Sequence, residues 1–178
     1  GTLEISDANT TDITATDITS INTSNTGTIT VTNTIDINGS GSEVEAAFAA
    51  IDTNTGNATA NITGTDYTVA QLKAINDATT GAIVLATSTS EALSGDATDI
   101  AAALAGTITY TGNVTITDNA YTVAELKAIN AKTTGSITLN TANVALSGTV
   151  ADIKLAFAGT ITTHTGTLEI SDAGTTDI

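Results

Sequence analysis

The sequence predicts an α/β fold organised as a right-handed repeat solenoid, in which parallel β-strands stack coil on coil and one short helix closes each coil of about 27 residues. Three observations predict this architecture. A ten-residue motif returns after 54 residues, helix-start signatures recur at about half that spacing, and short strands of alternating apolar and polar residues follow the helices.

The repeat is clearest in the segment Tyr67–Asn76, which returns as Tyr121–Asn130 with a single substitution. A more divergent copy precedes both over Asp17–Val31, and the opening Gly1–Ala8 recurs as residues 166–173. We therefore predict one continuous array over residues 1–178, with copies at approximately 13–66, 67–120 and 121–174 and partial copies at both ends.

The helices are predicted from pairs in which a Ser, Thr or Asp precedes a Glu, Gln or Asp by three residues. Such a pair satisfies unpaired amides at a helix start. The pairs are Thr14 with Asp17, Ser42 with Glu45, Thr68 with Gln71, Asp96 with Asp99, Thr122 with Glu125, and Thr149 with Asp152. In the first copy the Thr-rich Asp17–Asn22 replaces good helix formers, so a full helix is in doubt there.

The strands are predicted from alternation. Ile108 and Tyr110 point to one face and the intervening Thr residues to the other, and a second strand follows at Val114 and Ile116. Each half-repeat thus reads strand, turn, strand, turn, helix, and it must stack on neighbours to bury its apolar side. Since strands stack at about 4.8 Å and helices at about 8 to 10 Å, the array should curve or twist.

An alternative reading is a string of small, separate α+β units of about 54 residues. In that reading the segment Thr111–Asn113 and its equivalents are hairpin turns between antiparallel strands.

Composition excludes several classes of function. The chain carries four Lys or Arg residues against 19 Asp or Glu, a net charge of −15, which disfavours nucleic-acid binding. It has no Cys and one His, so thiol nucleophiles and two-His metal sites are excluded, and we predict that it is not an enzyme. No apolar run is long enough to span a bilayer, so no membrane span is predicted in this segment.

Four acidic residues that follow strands are candidate calcium ligands, because Ca²⁺ prefers carboxylate and carbonyl oxygens. Asp7, Asp118 and Asp172 occupy matching places, and Asp66 falls near the fourth such place, where Gly64 shifts the pattern. The favoured structural interpretation is that each forms an Asx turn or cap leading into a helix. No other cofactor is predicted.

Threonine at alternate strand positions could form a flat ladder of hydroxyl and methyl groups for a glycan, ice or another surface. The candidates are Thr28, Thr30, Thr32, Thr107, Thr109 and Thr111. The favoured interpretation is that Thr simply favours strands and faces solvent. The single His164 is predicted to be a loop residue, because no nucleophile and orienting acid can be matched to it.

The repeat Tyr121–Leu139, followed by Ala145–Ile153, resembles repeats in very large bacterial cell-surface proteins, such as the giant surface protein of swimming marine cyanobacteria and related adhesins. The resemblance implies an extracellular, cell-surface, tandemly repeated protein in adhesion, motility or surface coating, and it supplies no catalytic residues.

The leading functional hypothesis is therefore a non-enzymatic structural segment that acts as a stalk, filament or surface coat. Its predicted partners are further copies of the repeat, in one chain or head-to-tail. The alternative is a ligand-binding module for glycan, ice or calcium that uses the outward Thr face.

Overall fold

The computed structural model describes residues 1–86 and 92–172. Within these residues it contains six helices and thirteen short strands, and the strands form four separate sheets in which every pairing between strands is parallel. The predicted α/β class is confirmed.

The six helices begin near the predicted starts, with one correction. They are α1 Ala15–Ser24, α2 Gly41–Ala50, α3 Val69–Ala78, α4 Ala97–Ala103, α5 Val123–Asn130 and α6 Val150–Ala156. The prediction of Ser42 and Glu45 as the start of α2 is wrong: Ser40 and Glu43 form the capping box instead. Gly41 makes the earlier start possible, because a Cβ there would lie 3.0 Å from the Cβ of Tyr67.

The first helix forms over ten residues although its sequence is rich in Thr and Ser. Thr14 accepts a hydrogen bond from the amide of Asp17, and Ile18 is fully buried. The hydroxyls of Thr19 and Ser20 both donate to the carbonyl of Thr16, so they are satisfied inside the helix. The cap and the burial offset the weak propensity that put this helix in doubt.

The strands are two to four residues long. They are β1 Leu3–Ile5, β2 Asp12–Thr14, β3 Ile29–Val31, β4 Asp36–Gly39, β5 Thr53–Asn54, β6 Thr59–Ile62, β7 Ala82–Leu85, β8 Leu93–Gly95, β9 Thr107–Ile108, β10 Val114–Ile116, β11 Ile137–Leu139, β12 Leu146–Gly148 and β13 Leu168–Ile170. The sheets have the orders β1-β3-β5, β2-β4-β6-β7-β9, β8-β10-β11 and β12-β13.

Paired strands are separated by nearly one half-repeat of sequence. Ile13 pairs with Ile37, Ile37 with Ala60, and Ala60 with Ile83, so successive partners lie 24, 23 and 23 residues apart. Each helix also packs against the next helix along the chain. Neighbouring half-repeats therefore lie side by side.

The hairpin turn of the alternative reading is not formed. The strands on either side of Thr111–Asn113 are β9 and β10, and they belong to different sheets. β9 pairs with β7, whereas β10 pairs with β8 and β11. The prediction of a hairpin at this place is wrong, because each strand finds its partner in another half-repeat.

Three helices lie between strands that pair with each other in one sheet. For α6 these strands are β12 and β13, but Ile161 precedes β13 in the chain and bridges Ile137 of β11. In the other two cases α3 connects β6 directly to β7, and α5 connects β10 directly to β11. At these points the first strand of one half-repeat stacks on the second strand of the half-repeat before it. Such a sideways step accommodates layers of strands and helices whose natural spacings differ.

The core is one cluster of Ile, Val, Leu and Ala side chains that extends from Ile5 to Ala156. Four aromatic residues join it, namely Phe48, Tyr67, Tyr110 and Tyr121. In the described parts of the chain no helix combines the length and apolarity of a membrane span.

Candidate functional site

The four Asp residues predicted as candidate calcium ligands differ in their exposure to solvent. Asp7 and Asp66 are exposed, whereas Asp118 and Asp172 are partly buried. Among residues 1–86 and 92–172 no group of three or more His, Cys, Asp or Glu side chains is placed to hold a metal ion. Calcium binding at these residues therefore stays a prediction.

Asp118 and Asp172 each bond to the start of a helix in the preceding half-repeat. The amide of Ala97, the first residue of α4, donates to Asp118 Oδ1 at 3.4 Å. The amide of Val150, the first residue of α6, donates to Asp172 Oδ2 at 2.8 Å. A carboxylate at a helix start satisfies an unpaired amide and interacts favourably with the helix dipole.

The helix that these residues bond to differs from the expected one. The favoured interpretation was a cap on the helix that follows each Asp, whereas the bond of Asp118 goes back to α4. At the start of α4, Asp96 holds the N-cap position but its side chain makes no capping hydrogen bond. Asp118 therefore accepts from the first amide of a helix whose own N-cap side chain makes no capping bond.

The ends of the same two helices are bonded from the other side. Asn76 at the end of α3 donates to the carbonyl of Ala102 at 3.0 Å, and Asn130 at the end of α5 donates to the carbonyl of Leu155 at 2.8 Å. The last carbonyls of a helix have no partner within it. Both α4 and α6 are thus held at the start by the half-repeat that follows and at the end by the helix that precedes.

Two buried Thr residues make a third connection of this kind. Thr79 Oγ1 donates to the carbonyl of Ala58 at 2.7 Å, and Thr133 Oγ1 donates to the carbonyl of Gly112 at 2.6 Å. Each hydroxyl also accepts from an amide two residues further on, that of Gly81 or Gly135. The hydroxyl therefore satisfies one partly buried donor and one buried acceptor in two neighbouring half-repeats.

We call these side-chain bonds from Asp118, Asp172, Asn76, Asn130, Thr79 and Thr133 the inter-repeat clamps. Sequence reasoning missed the Asn and Thr members. The available signal was their exact recurrence after 54 residues, in Ile-Asn at each helix end and in Thr-Thr-Gly just beyond. Composition hid it, because Thr and Asn are common throughout this chain.

Two clefts lie at equivalent places between helices. The first has a volume of about 570 Å³ and is lined by α3, Ser94, Gly95 and Asp99. The second has a volume of about 350 Å³ and is lined by α5, Ser147, Gly148 and Asp152. Each contains one Lys, which is Lys73 in the first cleft and Lys127 in the second.

The two lysines make different ion pairs. Lys127 Nζ lies 2.5 Å from Asp152 Oδ1 and so links α5 to α6, whereas Lys73 Nζ lies 3.1 Å from Asp77 Oδ2 within its own helix. The hydrogen bond from Lys127, with a further bond from Thr149, lowers the pKa of Asp152 below the ordinary Asp value. The second cleft is therefore bridged by an ion pair and the first is not.

A further polar link joins α4 to α5. The hydroxyl of Thr98 donates to Glu125 Oε1 at 2.5 Å, while Glu125 Oε2 accepts from Thr122 at the start of α5. Partial burial raises the pKa of Glu125, but the hydrogen bonds from Thr98 and Thr122 outweigh it and lower that pKa overall. At Tyr121, burial and the charge of Asp118 raise the pKa of the phenol, whose hydroxyl donates to the carbonyl of Thr141.

The six Thr candidates do not form one surface. Thr28, Thr30 and Thr32 lie on or beside β3, in the sheet β1-β3-β5, whereas Thr107, Thr109 and Thr111 lie on or after β9 in the five-stranded sheet. Across from Thr30 stand Glu4 and Thr53, so the row around β3 is interrupted by a carboxylate. Thr32 donates to Glu4 at 3.1 Å. Binding of a glycan, ice or another surface by these residues stays a prediction.

His164 is placed by packing and by one polar contact. Its Nε2 lies 2.7 Å from the carbonyl oxygen of Val144, and its ring centroid lies 5.7 Å from that of Phe157. This position, in the segment between α6 and β13, is that of the predicted loop residue.

Comparison of the chain with models of protein families, with curated proteins and with solved structures finds no match.

Proposed function

We propose that this chain is a non-enzymatic structural repeat segment of a large secreted bacterial surface protein, which acts as a stalk, filament or surface coat in adhesion or motility. In this proposal the half-repeats form one continuous solenoid, and the four sheets are successive columns of a single twisted stack. The extracellular setting rests on the resemblance of the repeat Tyr121–Leu139 to repeats of giant surface proteins.

The clamps on α4 and α6 are the observation that carries the proposal. Both ends of each helix bond to side chains outside its own half-repeat, through Asp118 and Asn76 at α4, and Asp172 and Asn130 at α6. A 54-residue unit cut out of the chain would lose bonds at its boundaries. Such dependence on neighbours is what a linear array requires, because no unit can satisfy its own backbone and core alone.

Composition supports the same proposal. A net charge of −15 over 178 residues keeps long parallel arrays soluble through mutual repulsion. The chain has no Cys, Met or Trp, so it exposes none of the side chains that are most readily oxidised. Both properties suit a long protein outside the cell.

Small-angle X-ray scattering of tandem proteins tests the proposal. Three proteins are compared, with one, two or three copies of residues 1–165, and each protein ends with residues 166–178. Their cross-section should stay constant, and their length should grow by equal increments. Independent units joined by flexible linkers would instead give a size that grows more slowly than the copy number, and that result would contradict a continuous stack.

A further inference from the structure

Four strands occupy equivalent places in the repeat, and two of them are paired with another strand on both edges. The strands end at Ile5, Ile62, Ile116 and Ile170, each followed closely by one of the four aligned Asp residues; they are β1, β6, β10 and β13. β6 lies between β4 and β7, and β10 lies between β8 and β11. Each inner strand thus pairs with one earlier and one later strand of the chain.

Within the described residues the other two strands are each paired on one edge only. β13 pairs with the earlier strand β12, whereas β1 pairs with the later strand β3. The registers match those of the inner strand: Leu168 pairs with Leu146, Leu3 with Ile29, and the equivalent Val114 with both Leu93 and Ile137. β13 therefore has the partner that β1 lacks, and β1 has the partner that β13 lacks.

The backbone groups of the two strands are complementary as well. In β1, Leu3 donates to the carbonyl of Thr28 and Ile5 accepts from Thr32, so residues 3 and 5 face β3. In β13, Thr167 accepts from Leu146 and Ser171 donates to Gly148, so residues 167 and 171 face β12. Because successive residues of a strand alternate between its two edges, Leu168 and Ile170 face the edge opposite β12. These are the equivalents of Leu3 and Ile5.

Two of the three side chains on β13, Leu168 and Ile170, are apolar and exposed. Leu168 is 42% exposed and Ile170 is 54% exposed, whereas Val114 and Ile116 in the equivalent inner strand are 0% exposed. A sheet edge with free backbone groups and exposed apolar residues is a template for another strand. Burying these two side chains would favour that pairing.

The sequence of β13 fits the partner that β1 already has. Residues 166–178 match residues 1–13 at every position except one, where Gly174 stands for Asn9. In the β1 environment, Thr32 donates to Glu4, and Asn33 donates to the carbonyls of Ser6 and Asp7. Glu169, Ser171 and Asp172 offer the same acceptors at the same spacing.

We propose that β13 of one chain pairs in parallel with β3 of a second copy of this chain, in the register of β1, and displaces the second copy's own β1. This junction rests on the proposed structural function, because it makes two copies one continuous array. Displacing β1 breaks its pairing with β3 and uncovers the buried Ile5, but β13 presents the same Leu-Glu-Ile sequence in the same register and restores both. Within the described residues β1 pairs on one edge only, and its Leu3 is 39% exposed. In a tandem protein the same strand serves both copies.

Engineered thiols in the full chain test the junction, because the native chain has no Cys. Glu4 stands across from Thr30, so Glu169 should stand across from Thr30 of the second copy. Adjacent strands are about 4.8 Å apart, which lies within the Cα separations of disulfides. A Glu169→Cys chain mixed with a Thr30→Cys chain should form a covalent dimer at least 10-fold faster than a Glu169→Cys chain mixed with a Thr138→Cys chain. Thr138 is an equally outward strand position outside the predicted junction.

Two variants at Leu168 complete the test. Leu168→Pro removes an N–H that faces away from β12, so it should reduce cross-linking at least 10-fold while the circular dichroism spectrum stays unchanged. Leu168→Ala keeps the N–H and should cross-link to an intermediate extent. Equal rates with Thr30→Cys and Thr138→Cys, no covalent dimer at millimolar concentration, or no effect of Leu168→Pro would each overturn the junction. If tandem proteins nevertheless lengthen by equal increments, the proposed structural function would still be supported. Only the pairing of β13 with β3 of a second chain would then be wrong.

Discussion

The strands β10 and β13 have the same place in the repeat and similar sequences, Val-Thr-Ile and Leu-Glu-Ile, yet they differ completely in burial. Val114 and Ile116 are 0% exposed, whereas Leu168 and Ile170 are 42% and 54% exposed. The same contrast holds for the helices. At the fourth position of each helix, Ile100 of α4 is fully buried, whereas Ile153 of α6 is only partly buried.

The difference lies in the neighbours. β10 has a paired strand on both edges and α4 has a helix on both sides, whereas β13 pairs on one edge and α6 packs against α5 alone among the described helices. Local sequence sets the strand and the helix, but burial comes from the adjoining half-repeat. The following substitutions test that separation, in order of decreasing effect on the free energy of unfolding.

The largest difference is expected between Ile116→Asp and Ile170→Asp. The first places a charge in a fully buried site with no partner, which should lower the free energy of unfolding by more than about 4 kcal/mol. The second changes an exposed position and should cost less than about 1 kcal/mol. Urea denaturation at low protein concentration, followed by circular dichroism, measures both values. Equal losses would mean that β13 is covered in solution by something other than a second chain.

A buried hydroxyl should matter more than an exposed one of the same motif. Thr133→Val keeps the shape but leaves the carbonyl of Gly112 and the amide of Gly135 without the bonds of 2.6 and 2.9 Å, at a cost of about 1 to 3 kcal/mol. The neighbouring Thr134 is exposed. Thr134→Val should therefore stay within about 0.5 kcal/mol of the native chain. If the two variants unfold at the same urea concentration, the hydroxyl of Thr133 does not act as a clamp.

The Asn clamps should differ between the inner and the outer helix. The bond from Asn76 to Ala102 is partly buried, whereas that from Asn130 to Leu155 is exposed, so water can replace only the second one readily. Asn76→Ala should cost about 1 kcal/mol and Asn130→Ala less than about 0.5 kcal/mol. The reverse order in a urea titration would show that α6 depends on its neighbour as strongly as α4 does.

The elements with local signals were predictable from the sequence. The Ser, Thr or Asp pairs placed five of the six helix starts, and at four of them the N-cap side chain accepts from the amide three residues further on. At α4 the pair marks the start correctly, although Asp96 makes no such bond. Alternation placed Val114 and Ile116 on the inner face, and both are fully buried in β10. At α2 two overlapping pairs fit the same rule, and the choice depended on packing of Gly41 against Tyr67.

Features that depend on distant residues were not predictable. Nothing near Asp118 in the sequence indicates that its carboxylate bonds to Ala97, 21 residues earlier. The division into four sheets likewise depends on which strand comes to lie beside β6 and β10 after the intervening helix. Periodicity predicts the strands and the helix of each half-repeat. Which strands of different half-repeats pair with each other depends on packing between the half-repeats.

The smallest effect concerns pH and separates the two clefts. The hydrogen bond and charge of Lys127 lower the pKa of Asp152 in the folded chain. A carboxyl whose pKa is lower when folded stabilises the protein above its unfolded pKa, and this contribution is lost as the pH falls through the folded pKa. Both side chains of the pair are about two-fifths exposed, so the contribution is small. The melting temperature of Asp152→Asn should therefore lie slightly below that of the native chain at pH 7, and the difference should vanish near pH 2.

Asp99→Asn is the matched control, because Lys73 pairs with Asp77 within α3 and does not bridge the first cleft. An equal pH-dependent difference for Asp99→Asn would show that the contribution comes from the negative charge at the helix start and not from the Lys127 bridge.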